Sequence, residues 1–396
     1  MTYDFDSIIP RRGTLSYKWD SAPEGVLPMW VADMDFKTAP AIIDALRRRV
    51  DNGIFGYTRV PDEYYDAVTS WFGRRHGWEI DREMMIYTSG VVPAISAIIK
   101  ALAKPGEKVI VQTPVYNCFF SSIRNNGCRI LESPLIKSGD TYAIDFDRLE
   151  KDASEPDTTL MLLCNPHNPA GRVWSCDELR KIAEICGRNG VTVISDEIHC
   201  EFVFDGYRYT PFATVSEEAG CKTVVCVSPS KAFNIAGLQI ANIVAPDEGT
   251  RALIDKAINI NEVCDVNPFG VIATIAAYNE GEEWLSQLLK YIKGNYEYMK
   301  EFCKRNLPEF PIAKLEATYL VWMDCTKLGL KSEALEEKLI EDVSLWLNAG
   351  TMYGTVDGEG YMRWNIACPR RILADGLERF LDFTKKARTT PARSKS

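Results

Sequence analysis

Histidine is scarce in this chain: there are three in 396 residues, His76, His167 and His199. A zinc cage of mixed histidine and cysteine therefore has little to build from, and none of the twelve cysteines forms a Cys-x-x-Cys pair. A chain of this length does not need disulfide staples, so reduced thiols in a cytoplasm are expected. Positive charge is also short, with 46 Lys and Arg against 55 Asp and Glu and a net charge of −9. That balance argues against nucleic acid as the main partner, because phosphate backbones are neutralised by surplus Lys and Arg. No apolar run reaches the ~18 residues that a membrane helix needs. The acidic opening, Met1 to Asp6, lacks the basic and then apolar stretches of a secretory signal. There is no internal repeat and no long low-complexity segment. A mobile basic tail is expected from Lys385 to Ser396.

What is present is ordinary globular material: 46% hydrophobic and 26% charged residues, in a length that suits two or three domains at ~150 residues each. Short β-branched runs read as buried strands, namely Lys108–Val111, Thr159–Leu163, Val191–Ser195 and Thr223–Val227. Helical patterns lie between them. One helix is predicted over Pro93–Lys104. Another opens on the capping box Ser175-Cys176-Asp177-Glu178 and closes at Cys186, before Gly187 and Gly190. Strands alternating with helices predict an α/β fold with a mostly parallel sheet covered on both faces. From about Trp284 the pattern changes to a long amphipathic helix (Trp284–Arg305), a strand (Tyr319–Met323), further helices and the segment Tyr361–Asn365, which reads as a smaller α+β domain. The expected division is 1–45 (an irregular segment packing on the small domain or the site entrance), 46–283 (large domain) and 284–396 (small domain).

Open α/β sheets place their sites at the carboxyl ends of strands. The residues after each strand are therefore the candidates for chemistry. Ser89-Gly90-Val91-Val92 opens a helix and offers free N–H groups to an anion. Tyr116 follows the next strand, as a core aromatic or as a ring that stacks on a ligand. Asn165-Pro166-His167-Asn168-Pro169-Ala170-Gly171 makes a tight turn, and the Asn168 amide can also donate into a cleft. Asp196 ends an apolar strand, where a carboxylate is costly without a positive partner. Lys231 follows Ser228-Pro229-Ser230 after a buried strand, an unusual place for a lysine. A phosphate cradle, a stacking ring, a donor, an anion and an amine together are what pyridoxal 5′-phosphate (PLP) requires.

These motifs, with Arg363-Trp364-Asn365, occur in order over nearly the whole chain, and the chain closely resembles fold-type I PLP-dependent enzymes of the aminotransferase superfamily. The resemblance implies a seven-stranded sheet and a set of roles. Lys231 would link covalently to the cofactor and act as the base. Asp196 would pair with the ring nitrogen, Asn168 would donate to the ring oxygen, and Tyr116 would stack on the ring. Gly90, Val91 and Ser228 would hold the phosphate, and Arg363 the substrate carboxylate. Tyr57 would reach the phosphate of a neighbouring subunit, which implies a homodimer.

Two positions depart from the superfamily pattern: Gln239 stands where an arginine is usual, and His199 where a tyrosine is usual. Both, with Pro28–Phe36, Ser89–Pro93 and Ala367–Arg370, resemble the MalY/PatB-type cystathionine β-lyase (C–S lyase) branch. That resemblance implies β-elimination of L-cystathionine or related S-substituted L-cysteines. An aminotransferase, or a regulatory protein retaining PLP, is the alternative. His199 is read as a cofactor neighbour or a satisfied structural histidine, His167 as a turn residue, and His76 as a surface residue at a helix end.

Overall fold

The computed structural model describes residues 2–262 and 265–389. A seven-stranded sheet organises the chain. Its strands are β1 (Met85–Thr88), β2 (Lys108–Val111), β3 (Arg129–Glu132), β4 (Thr158–Cys164), β5 (Thr192–Asp196), β6 (Thr223–Val227) and β7 (Ala241–Val244), in the order β1-β7-β6-β5-β4-β2-β3. β7 runs antiparallel to both of its neighbours, and the other described pairings are parallel.

The strands are apolar on both faces because helices cover both. Val109, Val111, Leu160, Leu162, Ile194 and Val224 pack on one side with Ala94, Ile95, Ile98 and Ile99 of the helix Val91–Leu102. Ile110, Met161, Leu163 and Val193 point the other way, onto Leu179, Ile182, Ala183 and Cys186 of the helix Cys176–Arg188. Strand alternation of period two meets helical spacing of three and four residues, which is why these short segments settle as they do.

The first of these helices starts two residues before the predicted Pro93, because proline is tolerated within a first turn whose N–H groups have no helical partner. The capping box at Ser175 and Glu178 is present. Its helix continues through Gly187 to Arg188 instead of stopping at Cys186. Gly187 serves close approach, since a Cβ there would meet the Ala219 carbonyl at 2.7 Å.

A three-stranded antiparallel sheet forms from β8 (Leu320–Asp324), β9 (Asn348–Ala349) and β10 (Tyr361–Asn365), with β10 central. The helices Glu282–Asn306, Ser332–Val343 and Arg370–Thr389 belong to the same C-terminal third. The last of these runs to Thr389 with Leu377, Phe380 and Phe383 buried, so the tail expected from Lys385 is helical as far as it is described. Residues 390–396 lie outside the described residues. No described helix is long and apolar enough to cross a membrane.

The N-terminal segment is less irregular than expected. Leu27–Pro28 pairs in parallel with Leu345–Trp346, and the helix Pro40–Asn52 begins before residue 45. Between them runs a strap over residues 29–36. The Asn365 side chain donates to the carbonyls of Val31 and Asp33, each at 2.6 Å, and the Asp35 N–H donates to Ala367 O. Buried Lys18 pairs with Asp35 at 2.8 Å, and Arg11 bridges Asp33 and Asp35. On the other side Asn234 holds the backbone of Met34 and Phe36. The strap thus ties the loop after β6 to the small sheet.

Candidate active site

A cavity of about 490 Å³ opens where the strap, the carboxyl ends of the large sheet and β10 meet. Its walls include Gly90, Val91, Tyr116, Asn168, Asp196, His199, Lys231 and Arg363. Sequence reasoning named all eight. It also named Ser228 and Tyr57, which are not in the wall.

Each group arrives by a local route. Asp196 is the last residue of β5, buried, and its carboxylate accepts from the Ile198 N–H at 3.1 Å. Burial pushes its pKa up to about 7, with the neighbouring Glu197 adding to the effect and Lys231 opposing it. Glu197 itself faces away from the chemistry. It accepts from Ser195, Asn165, the Phe212 N–H and the Tyr209 hydroxyl, and so pins the turns on either side.

Lys231 leaves the loop after β6 and donates to the Ala32 carbonyl at 2.7 Å. Desolvation, helped by the positive charge of Arg363, lowers its pKa to about 8. The Asn165–Gly171 turn closes on Gly171, whose left-handed φ of +70° would strain any side chain, and Leu315 Cδ1 lies 2.9 Å from a would-be Cβ. The turn carries Asn168, whose Oδ1 accepts from Arg363 Nη1 at 3.2 Å, leaving its NH₂ free to donate. Arg363 sits in the middle of β10, 3% exposed. Its Nη2 donates to the Trp30 carbonyl at 2.9 Å, and its Cζ lies 4.7 Å from the centre of the Tyr353 ring. Its Nε has no partner, and no carboxylate pairs with it among the described residues.

His199 is buried, not satisfied: its Nδ1 has no hydrogen-bond partner among the described residues, and burial lowers its pKa to about 3, with Lys231 and Arg363 adding to the effect. It is a neutral imidazole at the wall. His167 is a buried turn residue whose Nε2 contacts the Pro114 carbonyl at 2.8 Å. His76 does end a helix, but it is not at the surface: its side chain is 10% exposed and its Nε2 lies 2.8 Å from Glu201. The buried Glu201 carboxylate also accepts from Trp71 and Arg75 and draws the imidazole inward.

Ser228 is engaged elsewhere. Its hydroxyl donates to the Ile240 carbonyl at 2.6 Å and accepts from the Ser230 N–H, so it shapes the lysine loop. Ser230 and Ser89 line the cavity instead, with Gln239 held at a left-handed φ of 51°. Tyr57 is 98% exposed, outside the cavity of its own chain. Sequence reasoning missed Ser230, although it adjoins the lysine. It also missed Cys118, Trp30 and Ala32. The last two act toward Arg363 and Lys231 through backbone carbonyls, which carry no residue-type signal.

The donor set fits PLP. The N-terminus of the helix Val91–Leu102, with Ser89 and Ser230, can take a phosphate. Asp196, buried without an ion-pair partner in contact among the described residues, suits a protonated ring nitrogen. The Tyr116 ring suits stacking, and a desolvated amine suits an aldehyde. The unpaired Arg363 matches a carboxylate in fork geometry.

The chain matches the aminotransferase class I and II family over residues 25–380. It is 44% identical over 381 residues to the cystathionine β-lyase PatB of Bacillus subtilis, covering 95% of this chain and 98% of that protein. The crystal structure of cystalysin from Treponema denticola, which contains a pyridoxal 5′-phosphate cofactor, superposes with a TM-score of 0.94 at 36% identity, covering 98% of this chain and all of the other. The PLP-bound C–S lyase of Staphylococcus hominis superposes at 0.89 and 34%, covering 96% of this chain and 98% of that one.

Proposed function

The chain belongs to the aminotransferase class I and II family, and from that premise we propose that it is a PLP-dependent carbon–sulfur β-lyase. It releases a thiol, pyruvate and ammonia from L-cystathionine or related S-substituted L-cysteines. The observation that carries this reading is one cavity with three charged groups that form no ion pair among the described residues: the desolvated amine of Lys231, the buried carboxylate of Asp196 and the buried guanidinium of Arg363. The relatives named cystathionine β-lyase and C–S lyase support the reaction type.

In this reading Lys231 holds the cofactor aldehyde, Asp196 faces the ring nitrogen, Asn168 donates to the ring oxygen and Tyr116 covers the ring. The helix N-terminus at Gly90 and Val91, with Ser89 and Ser230, holds the phosphate, and Ser228 keeps the lysine loop in shape. When bound, PLP supplies an electron sink for the pair left at Cα. Asp196 keeps that sink cationic; a positive ring nitrogen returns its raised pKa toward the ionised range. Arg363 would fork onto the α-carboxylate and so orient the substrate in the cavity. Lys231, with a pKa near 8, is partly neutral near neutral pH and takes the Cα proton. Neutral His199 would add no positive charge to the cavity wall.

We also propose a homodimer in which Tyr57 serves the neighbouring phosphate. Val50, Ile54, Phe55 and Tyr57 form one run of exposed large apolar residues, which supports this. A cytoplasmic location is proposed on the free state of the described cysteines. The division 1–45, 46–283 and 284–396 is proposed with the helices Pro40–Asn52 and Glu282–Asn306 as its joints. The test supplies PLP and an S-substituted L-cysteine without any 2-oxo acid and measures pyruvate and thiol. Turnover that needs a 2-oxo acid would mark an aminotransferase instead.

A further inference from the structure

The acceptor of the Lys231 amine is shared. The Ala32 carbonyl that the amine reaches at 2.7 Å also accepts from the Tyr319 hydroxyl at 2.9 Å. A carbonyl oxygen has two lone pairs, so these two donors use up its capacity. Burial pushes the Tyr319 pKa far above the ordinary phenol value, with Asp33 adding to the effect and Arg363 opposing it, so the hydroxyl keeps its proton and remains a donor. Tyr319 is 0% exposed within its own chain, which puts the hydroxyl out of a neighbouring subunit's reach.

The tyrosine follows a strained residue. Thr318 has a φ of +72°, in the left-handed region that a β-branched residue rarely enters. Two bonds hold it there: its N–H donates to the Phe202 carbonyl at 2.8 Å, and its Oγ1 accepts from the Leu320 N–H at 3.1 Å. The bend stands the Tyr319 ring edge-on to Phe202, with centroids 4.7 Å apart, and to His199 at 5.8 Å. The Tyr319 carbonyl accepts from the Ile366 N–H at 3.0 Å, just beyond β10. Packing and backbone therefore fix the ring without its hydroxyl. The strap is fixed without it too: Arg363 and Asn348 donate to the Trp30 carbonyl, Asn365 donates to those of Val31 and Asp33, and Asn234 accepts from the Met34 N–H. What the hydroxyl acts on is the other donor to its carbonyl, Lys231.

We infer that Tyr319 is a positioning residue for Lys231, its hydroxyl occupying one lone pair of the Ala32 carbonyl and so leaving the amine a single direction of approach. The inference rests on the β-lyase reading, in which Lys231 takes the Cα proton. An amine held in one direction meets that proton at a fixed distance. A carbonyl already engaged is also a poorer acceptor for an ammonium, so it favours the charged form less and Lys231 gives up its proton at lower pH. The other titratable and charged groups that face the amine are Arg363, Asp33, Asp196, Cys118 and neutral His199, and Tyr319→Phe alters none of them.

The test is Tyr319→Phe in the full chain, with thermal unfolding and cofactor absorbance as checks of folding. In cofactor-free protein, pH-dependent acylation of Lys231 read by peptide mass should place the amine above its parental value of about 8. The rise should be about half a unit to one unit. In PLP-loaded protein, kcat for pyruvate formation near neutral pH should fall at least about tenfold while KM holds, and the acid limb of the kcat profile should move up with the amine. Exchange of Tyr319 for a fluorotyrosine, a stronger donor of nearly the same shape, should move the amine the other way. An amine that titrates as in the parent in both variants, or a kcat within about twofold of the parent with only the unfolding midpoint lowered, would overturn the inference and leave Tyr319 a packing residue. If the parent forms pyruvate, such a result brings down the inference alone. A parent that forms none from L-cystathionine or S-methyl-L-cysteine brings down the β-lyase reading with it.

Discussion

Replacing Arg363 by methionine keeps much of the side-chain length and removes the charge. Arg363 is 3% exposed, and neither of its donor bonds goes to a carboxylate: Nη1 reaches Asn168 Oδ1 and Nη2 reaches the Trp30 carbonyl. A substrate carboxylate would be its first anionic partner. Hydrogen bonds to charged groups contribute about 1.5–3 kcal/mol each. A two-bond fork therefore contributes about 3–5 kcal/mol after some overlap, or roughly 10²–10⁴-fold in kcat/KM. Arg363→Lys keeps the charge and loses the fork, so it should fall between methionine and the parent.

Stability should move the other way. A buried cation without an ion pair is a burden, and exchange for an apolar side chain is often neutral or stabilising. The midpoint of thermal unfolding without substrate should hold or rise in Arg363→Met. A third consequence is electrostatic: Arg363 depresses the pKa of Lys231, so in cofactor-free protein the amine should titrate above its parental value of about 8. The assay is steady-state pyruvate formation across substrate concentrations, with a thermal scan and an amine titration of the same samples. A methionine variant with kcat/KM within about threefold of the parent would refute the carboxylate role.

Three further outcomes are expected. Asp196→Asn removes the anion facing the ring nitrogen, so pyruvate formation should drop at least ~10²-fold and PLP should dialyse away faster. Equal activity and retention would count against its role. His199 is held neutral with a pKa of about 3, against 6.5 unfolded. Its contribution is complete above pH 6.5 and is lost as the pH falls below it, by up to about 1.4 kcal/mol per unit. Denaturant titrations of cofactor-free His199→Gln from pH 7 to 5 should show a shallower decline than the parent; parallel curves would contradict the neutral assignment. Lys18→Met leaves Asp35 with Arg11 and Trp19 as its remaining donors, at a cost of about 2–4 kcal/mol that denaturant unfolding would register.

The alternation of β-branched strands and amphipathic helices was legible because each pattern is local. Ile110 and its neighbours point to opposite faces by strand geometry alone. The strand-end groups Asn168, Asp196 and Lys231 were legible for the same reason: a carboxylate or amine at the end of an apolar run conflicts with its surroundings unless chemistry uses it. Boundaries were less legible. Gly187 reads as a helix stop, yet it is in the helix because residue 219 packs on it. His76 reads as a surface residue, yet Glu201 draws it inward from more than a hundred residues away.

What the sequence determined by itself is the order of strands and helices and the identity of the groups that meet at the strand ends. Those properties follow from side-chain spacing within one turn or one strand. The tertiary structure alone decided that Ser230 and not Ser228 faces the cavity. It also decided that the carbonyls of Trp30 and Ala32 meet Arg363 and Lys231, and that Tyr319 reaches the same carbonyl as Lys231. Backbone carbonyls look alike in any sequence, and residues more than three hundred positions apart become neighbours only when the strap is laid across both sheets.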